Sequence, residues 1–458
     1  MTYCNPDEVE AGTAVPENGP SFNNFTVVVH AMKVVQPAEV TKEETIYLTN
    51  IDQMLVVPVE SFFVYLPNSK KSSESVFWVL EDALAKVLVP YHFMAGRFEV
   101  NTEEGRLQVK CNRAGVGFVV ASSEQTIEDL GDLKLMNPGF RKLVPSPPGD
   151  NVSLFDDFLL MVQVTKFRCG GFTVGFRMSH SLCDGTSSAQ FFRSFCKLAR
   201  GEPLTEFPDL DRTILKPRDP PAPECNHPEC FRSGGVIPNG AGTVDNMDIV
   251  APQYITKHIP MSLIEIQTLK TIAMADGSIK RCSSFEVTIA HFWQARTRSL
   301  EFAPDEFTNL LIAVDFRAKM HPPIQPTFCG NTIISAHVSA LASEVAHNPL
   351  SYCVAKIQEA VARIDERYVR SALDWLQLHG GVPAIGSAKD MLVSAWWKFP
   401  FYEHDFGWGK PVHSGPPSGS TPQFALIVSN GTEDGGLLLL VSFQPHEMVK
   451  FERYLKDI

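Results

Sequence analysis

The residues best suited to chemistry are a histidine and an aspartate four positions apart, His180 and Asp184, with Gly185 directly after them. They stand where an alternating, strand-like pattern gives way to a helical one. An imidazole titrates near neutral pH, so His180 fits a general base that takes a proton from an alcohol. Of the 13 histidines, only His180 has an aspartate four residues later. Taken alone, the motif is equally consistent with a buried histidine that is bonded to the backbone.

The neighbours of His180 leave alternatives open. Asp184 either orients the imidazole, as the third member of a triad does, or anchors the corner by pairing with an arginine. We favour the anchor, with Arg317 as its partner, because residues across a strand-to-helix corner diverge. Ser181 and Cys183 are close enough in sequence to form an acyl-enzyme, but direct proton removal from a bound acceptor is the prediction that we favour.

A second motif lies far along the chain, where residues 405–409 read Asp-Phe-Gly-Trp-Gly. Such a string of glycine and aromatic residues is rare, and its occurrence about half a chain after His180 favours the catalytic interpretation. One reaction that such a base could serve is the attack of an alcohol on an acyl donor such as a thioester. That reaction also needs donors for the oxyanion of the tetrahedral intermediate, and it needs water to be excluded.

Length and charge narrow the class of protein. At 458 residues the chain is too long for one ordinary core, so two domains are expected. Hydrophobic residues make up 44% and charged residues 20%, which is typical of globular proteins. The net charge of -12 argues against nucleic acid and anionic membranes as partners, since both require a basic face. A local basic cluster at 216–218 or 317–319 could still receive a phosphorylated cofactor.

The cysteines and the apolar segments indicate where the protein works. The 10 cysteines are scattered, and no secretory signal precedes them, so they are expected to be reduced thiols of a cytoplasmic protein. Cys225, His227 and Cys230 suggest zinc, but three ligands without a second Cys/His pair favour an ordinary loop, and no metal is expected. The longest apolar run, 437–441, is too short to span a bilayer. We expect a monomer that acts on small molecules.

Sequence patterns predict an α/β fold in two halves. Adjacent glycines at 170–171 join two predicted strands, 161–164 and 172–178, and a helix predicted over 186–200 follows, which places His180 at a rigid corner. Other predicted elements are strands at 25–29, 106–109, 117–121, 310–314, 424–428 and 437–443, and helices at 76–89, 262–272, 284–300, 350–375 and from 445.

The domain boundary is expected in a stretch rich in Pro, Gly, Asp and Asn. Residues 1–22 are predicted to be a disordered leader. Residues 23–205 form the N-terminal domain with His180 and Asp184, residues 206–255 are a linker or crossover, and residues 256–458 form the C-terminal domain with the 405–409 motif.

Both motifs, in this order, resemble those of the plant BAHD acyltransferases, and the resemblance covers nearly the whole chain. Further segments are similar to motifs of that family, namely 91–97, 163–171, 211–213, 315–317 and 328–331, with Phe93 and Cys329 as departures. The resemblance implies two chloramphenicol-acetyltransferase-like domains with mixed sheets and a channel between them. It places His180 midway along the channel, with acyl-CoA as a co-substrate from one face and the acceptor from the other. No permanently bound cofactor is implied.

The same resemblance assigns roles to individual residues. The 405–409 motif, with Asp405, Gly407, Trp408 and Gly409, is implied to be structural, and Asp184 is implied to pair with Arg317. Ser394 and Trp396 are implied to position the acyl group and to meet the oxyanion, although core packing explains Trp396 equally well. Contacts with CoA are implied for Ser284, Arg317 and Lys319.

Within the family, the chain is most similar to the branch that transfers hydroxycinnamoyl groups, and there to enzymes acting on ω-hydroxy fatty acids or fatty alcohols. Shikimate is a carboxylate and calls for an arginine in the acceptor pocket. The corresponding stretch here offers only Lys389, and a tyrosine of the shikimate type appears as Phe63. Both changes favour a hydrophobic acceptor. Shikimate or quinate remains the alternative acceptor, N-acylation of a polyamine is less supported, and a non-catalytic accessory role in fatty-acid elongation is the alternative of another class.

Overall fold

The computed structural model describes residues 25–135, 137–149, 152–231, 254–418, 421–432 and 435–458. The predicted leader 1–22 and much of the predicted crossover lie outside the described residues. The strands are β1 Val28–Val35, β2 Thr45–Tyr47, β3 Pro58–Tyr65, β4 Arg97–Asn101, β5 Arg106–Lys110, β6 Val116–Ser123, β7 Leu160–Phe167, β8 Phe172–Ser179, β9 Cys230–Phe231, β10 Ile255–Met261, β11 Phe307–Asp315, β12 Ile333–Leu341, β13 Val382–Pro383, β14 Asp390–Ala395, β15 His413–Gly415, β16 Phe424–Ser429 and β17 Leu437–Phe443. The helices are α1 Asn50–Met54, α2 Val76–Val87, α3 Gly185–Ala199, α4 Leu263–Met274, α5 Ser284–Leu300, α6 Ala342–His347, α7 Leu350–Ala362, α8 Glu366–His379 and α9 Pro445–Lys456.

The first large sheet carries the strand that leads to His180. Its strand order is β1-β6-β7-β8-β3-β15, with β6 and β7 parallel and the other pairs antiparallel. The predicted hairpin is present as β7 and β8, and Gly170 in its turn has a φ of 87°, which favours glycine. Helices α2 and α3 bury their apolar sides in the core that includes the inward residues of this sheet.

The second large sheet supports the other half of the molecule. Its strand order is β10-β17-β16-β14-β11-β12, and β14 is parallel to both of its neighbours. Apolar residues of α4, α5, α7 and α9 pack with alternate residues of these strands in one core. The opposite face carries a separate apolar cluster of Leu426, Val428, Leu438 and Leu440. This two-sheet α/β architecture confirms the predicted fold class.

The two halves of the chain are not two separate structural units. Strand β15, from the second half, pairs with β3 and completes the edge of the first sheet. Phe406 and Trp408 lie in the core of the first sheet as well. The predicted division placed all of 256–458 in one domain, whereas the structure sends the stretch from 406 to 415 back to the first core. Strand pairing between distant segments leaves no local sequence signal.

Two predicted elements differ from the structure. The helix predicted over 350–375 is two helices, α7 and α8, because Asp365 has an extended backbone and caps α8 by accepting a hydrogen bond from the backbone N of Tyr368. The first strand runs over Val28–Val35 rather than 25–29. The helix beginning after Ser262 is confirmed, and Ser262 and Glu265 form a reciprocal capping box.

Candidate active site

The site is built on the corner between β8 and α3. β8 ends at Ser179, and the backbone N of His180 donates to the carbonyl of Val57 at 2.8 Å, which fixes the chain as it leaves the sheet. Asp184 is the N-cap of α3 and accepts from the backbone N of Ser187 at 2.9 Å. His180 is half-buried, so its ring remains in reach of a ligand.

Asp184 anchors this corner to the second half of the molecule. Its two carboxylate oxygens accept from Nη1 and Nη2 of Arg317 at 2.8 and 3.1 Å, a bidentate pair. Thr332 adds its backbone N and its hydroxyl, at 3.1 and 3.0 Å. Burial acts to raise the pKa of Asp184, but the charge of Arg317 and these hydrogen bonds hold it below its ordinary value. The carboxylate is thus committed to Arg317, Ser187 and Thr332, as the anchor interpretation predicts.

The residue that orients His180 is Asn331. Its Oδ1 lies 3.1 Å from Nδ1 of His180, and its Nδ2 donates to Oδ1 of Asp52 and to the carbonyl of His180, each at 2.8 Å. Because both of those partners are acceptors, the amide nitrogen must face them and the amide oxygen must face the ring. Nδ1 of His180 therefore carries the proton, and Nε2 is left with the lone pair that a general base needs.

Asp52 and Arg212 support Asn331 from behind. Nη1 of Arg212 donates to Oδ2 of Asp52 at 3.0 Å, and both side chains are fully buried. Arg212 also donates to the carbonyls of Ser181 and Leu182, at 3.1 and 2.6 Å, and so holds the chain directly after His180. Burial acts to lower the pKa of Arg212, but the charge of Asp52 outweighs it and the pKa is raised.

Sequence reasoning gave Asn331, Asp52 and Arg212 no role. Arg212 and Asn331 lie in segments that resemble motifs of the family. Asn331 is 151 positions from His180 and 279 from Asp52, so no spacing rule could have joined them. The signal available was a set of three polar residues in separate segments, namely one amide, one carboxylate and one arginine.

The two candidate nucleophiles are not directed at His180. The hydroxyl of Ser181 is fully buried and lies 2.9 Å from the hydroxyl of Ser179. Cys183 is buried with its Sγ 3.5 Å from Sγ of Cys329, and burial raises the pKa of its thiol well above the ordinary value. A protonated, enclosed thiol is a poor nucleophile. The geometry therefore favours direct base catalysis over an acyl-enzyme.

A loop of the second half closes over the corner. The ring of Phe399 lies so near Gly185 that a Cβ added there would stand 2.2 Å from a ring carbon, so a larger residue would require the ring to move. Trp396 is half-buried and packs on the Leu426 cluster, with Phe401 in edge-to-face contact at 6.0 Å. Ser394 in β14 is paired in register with Leu426 and lies on that same sheet face. Packing therefore accounts for Trp396 in the structure, and any contact with an acyl group is additional.

The two residues predicted for the acceptor pocket lie far apart. Phe63 is buried in an aromatic cluster, with ring centroids 5.5 to 6.2 Å from its partners Phe176, Phe192, Phe401 and His404. Lys389 stands at the outer end of β14, where its Nζ forms a 2.6 Å ion pair with Glu306 at the surface. Five residues of extended chain, about 17 Å, separate Lys389 from Ser394, and its place in the pocket stays a prediction that this position does not favour.

The cations predicted to bind CoA are already engaged. Both terminal nitrogens of Arg317 bond to carboxylates, those of Asp184 and Asp315, so its assignment as a CoA contact stays a prediction that these ion pairs do not favour. Nζ of Lys319 donates to the carbonyls of Val361 and Ile364 at the end of α7, at 3.2 and 2.7 Å, and its contact with CoA likewise stays a prediction. Ser284 is the first residue of α5 and is half-buried. Its hydroxyl lies at a helix N-terminus, where an anion such as a phosphate is favoured.

The 405–409 motif packs against the first half of the chain and links the two halves. Oδ1 of Asp405 accepts from the backbone N of Gly407 and of Gly409, at 2.6 and 2.9 Å, and both glycines have a positive φ. The indole N of Trp408 donates to the carbonyl of Ser72 at 3.0 Å, and Phe406 packs on Phe195 at 5.0 Å. These contacts are structural, and none of them involves His180.

The remaining sequence hypotheses concern metals and membranes. His227 bonds to Glu229 and Ser371 rather than to the cysteines near it. Within the described residues, no group of His, Cys, Asp and Glu side chains has the geometry to hold a metal ion. In the same part of the chain, no helix combines the length and apolar character needed to cross a membrane.

Comparison with known proteins identifies the family. The family model described as "Transferase family" matches residues 25–457, which is nearly the whole chain. The chain belongs to the BAHD acyltransferase family. As a BAHD protein it is an acyl-CoA-dependent acyltransferase.

Curated BAHD relatives match over almost their full length. Acyltransferase GLAUCE of Arabidopsis thaliana is 33% identical, covering 97% of this chain and 99% of its own. The shikimate O-hydroxycinnamoyltransferase of Nicotiana tabacum is 32% identical (94% and 99%), and the omega-hydroxypalmitate O-feruloyl transferase of A. thaliana is 31% identical (95% and 94%). The crystal structure of F. graminearum TRI101 with ethyl coenzyme A shares the fold, with a TM-score of 0.76 at 17% identity over 90% of this chain and 97% of that one.

Proposed function

We propose that this BAHD enzyme transfers a hydroxycinnamoyl group (feruloyl, caffeoyl or coumaroyl) from CoA to a hydrophobic hydroxyl compound such as an ω-hydroxy fatty acid or a fatty alcohol. One observation carries the mechanism. His180 has its Nδ1 proton held by Asn331, and its Nε2 is left as the base in a half-buried position. Both substrates would have to be bound together, because neither Ser181 nor Cys183 is placed to hold the acyl group in between.

The reaction proceeds by general-base catalysis. Nε2 of His180 takes the proton of the acceptor hydroxyl as its oxygen attacks the thioester carbonyl carbon. The tetrahedral intermediate then collapses, the carbon–sulfur bond breaks, and the proton passes from His180 to the departing thiolate. Asn331 keeps the ring in one tautomer throughout, and Asp52 with Arg212 keeps Asn331 in place.

The oxyanion requires a donor close to His180, and Ser394 is the candidate. Ser394 lies on the face of β14 that is turned away from the helices. The same sheet face carries the Leu426 cluster, on which Trp396 packs. A hydroxyl donor placed at the developing charge contributes a factor of about 10²–10³ to the rate. Trp396 would shape the acyl side through its half-buried ring.

The apolar acceptor is supported by what surrounds Phe63. Its neighbours are aromatic, and burial lowers the pKa of His404 in this cluster to about 3, so that side chain is neutral. The one cation suggested for the pocket, Lys389, is at the surface with Glu306. Aromatic surroundings of this kind favour alkyl chains over polyols.

Shikimate or quinate remains the second candidate acceptor, since one curated relative named for shikimate is as similar as the relative named for omega-hydroxypalmitate. A matrix of purified enzyme with feruloyl-, caffeoyl- and coumaroyl-CoA against a long-chain ω-hydroxy acid, a fatty alcohol and shikimate tests the proposal. Free thiol release and ester formation are measured together. Transfer to shikimate alone would refute the apolar acceptor. Release with none of the acceptors would favour an accessory binding role.

A further inference from the structure

A basic surface pocket lies between α3 and the loop that closes over the active-site corner. One side is formed by Arg193, Lys197 and Arg200, and the other by Pro400, Glu403 and His404. The three cations are four and three residues apart, so they lie on one face of the helix. In a chain with a net charge of -12, this is a local concentration of positive charge.

The charges in this pocket are not all neutralised. Arg200 pairs with Glu202 at 2.6 Å, and Glu403 pairs with Lys410 at 2.5 Å. Among the residues that the structure describes, the partner of Nζ of Lys197 is the hydroxyl of Thr205, at 3.3 Å. Arg193 is exposed and forms no ion pair with any carboxylate that the structure describes. The pocket therefore presents Arg193, supported by Lys197, to an anion.

His404 provides an independent indication of a ligand. The residue is only 3% exposed, and its Nε2 has no hydrogen-bond partner among the described residues. A buried polar atom without a partner is costly, and His404 is among the residues that line this pocket. Arg193 is close enough for its charge to join burial in depressing the pKa of this imidazole.

An aromatic row connects the pocket to the corner at His180. Phe399 contacts Gly185, its ring centroid is 5.5 Å from that of Phe401, and Phe401 is 5.8 Å from His404. Both phenylalanines are half-buried, so the row presents apolar surface. Arg193 lies eight positions after Gly185, about 12 Å along the helix axis. These contacts join the pocket to the corner through a continuous row of apolar side chains.

We propose that this pocket binds the carboxylate of a long-chain ω-hydroxy acid, with Arg193 as its main contact, while the alkyl chain follows the Phe399–Phe401 row and the terminal hydroxyl reaches His180. The inference rests on the proposed function and narrows it, since it makes the free acid a better acceptor than an alcohol of equal length. Arg193 is a specificity residue in this scheme, remote from the reacting atoms.

The test compares a 16-carbon ω-hydroxy acid with its methyl ester, which has the same chain and hydroxyl but no charge. Arg193→Gln should raise KM for the acid about tenfold, the loss expected for one partly exposed charge contact, and leave the ester within a factor of two. Lys197→Gln should act in the same direction with a smaller effect. The exposed Arg453→Gln on α9 is the matched control and should change neither.

Added salt should reduce the preference of the wild type for the acid over the ester, because the contact is solvent-accessible. If Arg193→Gln alters the acid and the ester equally, or alters neither, the carboxylate site is refuted while the proposed function stands. If the wild type transfers to neither substrate, the proposed function itself fails, and this inference fails with it.

Discussion

Two histidines in this protein have similar hydrogen-bond partners but differ in whether a ring nitrogen is available for catalysis. His180 has Asn331 at Nδ1, while His227 has Glu229 at Nδ1 and the hydroxyl of Ser371 at Nε2, both at 2.9 Å. By distances alone, the Ser371–His227–Glu229 set resembles a hydrolase triad more than anything around His180 does.

The difference lies in which atoms remain available. Ser371 is fully buried, and its hydroxyl oxygen already accepts from the backbone N of Glu224 and of Cys225, at 2.8 and 2.9 Å. His227 is 5% exposed and uses both ring nitrogens. This set fastens the described part of the crossover segment onto α8. His180 is half-buried, and no described residue bonds to its Nε2, which is therefore available to act as a base.

Removing the imidazole of His180 should give the largest effect. His180→Ala loses the general base, so kcat should fall by a factor of about 10³ or more, within the range for such catalysis. The thermal midpoint should stay near that of the wild type, because Asn331 keeps its bonds to Asp52. The exposed His321→Ala is the matched control. Activity within tenfold of the wild type in His180→Ala would rule out the mechanism.

His227→Ala should lower stability and leave catalysis unchanged, which is the reverse of the effect expected for His180→Ala. Loss of the ring removes the hydrogen bond from His227 to Glu229, whose remaining side-chain partner among the described residues is the hydroxyl of Tyr368. A buried carboxylate that loses a hydrogen bond costs about 3 kcal/mol of folding free energy. The thermal midpoint should fall, while kcat per folded molecule should not change. A large loss of kcat at full stability would instead place this histidine in the chemistry.

Asn331→Ala tests whether His180 needs its tautomer fixed. Without the amide oxygen, either ring nitrogen can carry the proton, and kcat should fall about tenfold to a hundredfold with little change in KM. Asn331→Gln is the matched variant that retains the amide but misplaces it. A rise in KM alone would mean that Asn331 serves substrate binding rather than the orientation of the base.

The smallest expected effect is the pH dependence of the stability that Asp184 contributes. The folded-state pKa of Asp184 lies below its ordinary value, so its contribution to stability is complete above about pH 4 and is lost as the pH falls further. The gap in thermal midpoint between the wild type and Asp184→Asn should therefore narrow in acid. The exposed Asp305→Asn is the control. A gap independent of pH would contradict the ion pair with Arg317.

Local patterns in the sequence were sufficient for the elements that carry the site. Adjacent glycines predicted the β7–β8 hairpin, and the apolar spacing after His180 predicted α3, so the corner itself was foreseen. Where a single residue decided the outcome, patterns were less reliable. The apolar periodicity ran on through 363–365, but Asp365 caps a new helix there.

Contacts between distant segments could not be predicted in this way. The partnership of His180 with Asn331, and of Asn331 with Asp52, depends on how three segments meet. The ion pair of Lys389 with Glu306 was unpredictable for a related reason, since sequence position could not show that the two residues meet at the end of β14. Pairing across the chain is a property of the assembled fold and leaves little trace in composition or spacing.

The return of residues 406–415 to the first core has a consequence for biosynthesis. Strand β15 and the side chains of Phe406 and Trp408 reach the first sheet only after most of the chain has left the ribosome. The first half cannot then finish folding as an early, independent nucleus, although domains usually do so in order of synthesis. A nascent chain halted before residue 406 should expose this unfinished core, and it should depend on chaperones until the closing segment arrives.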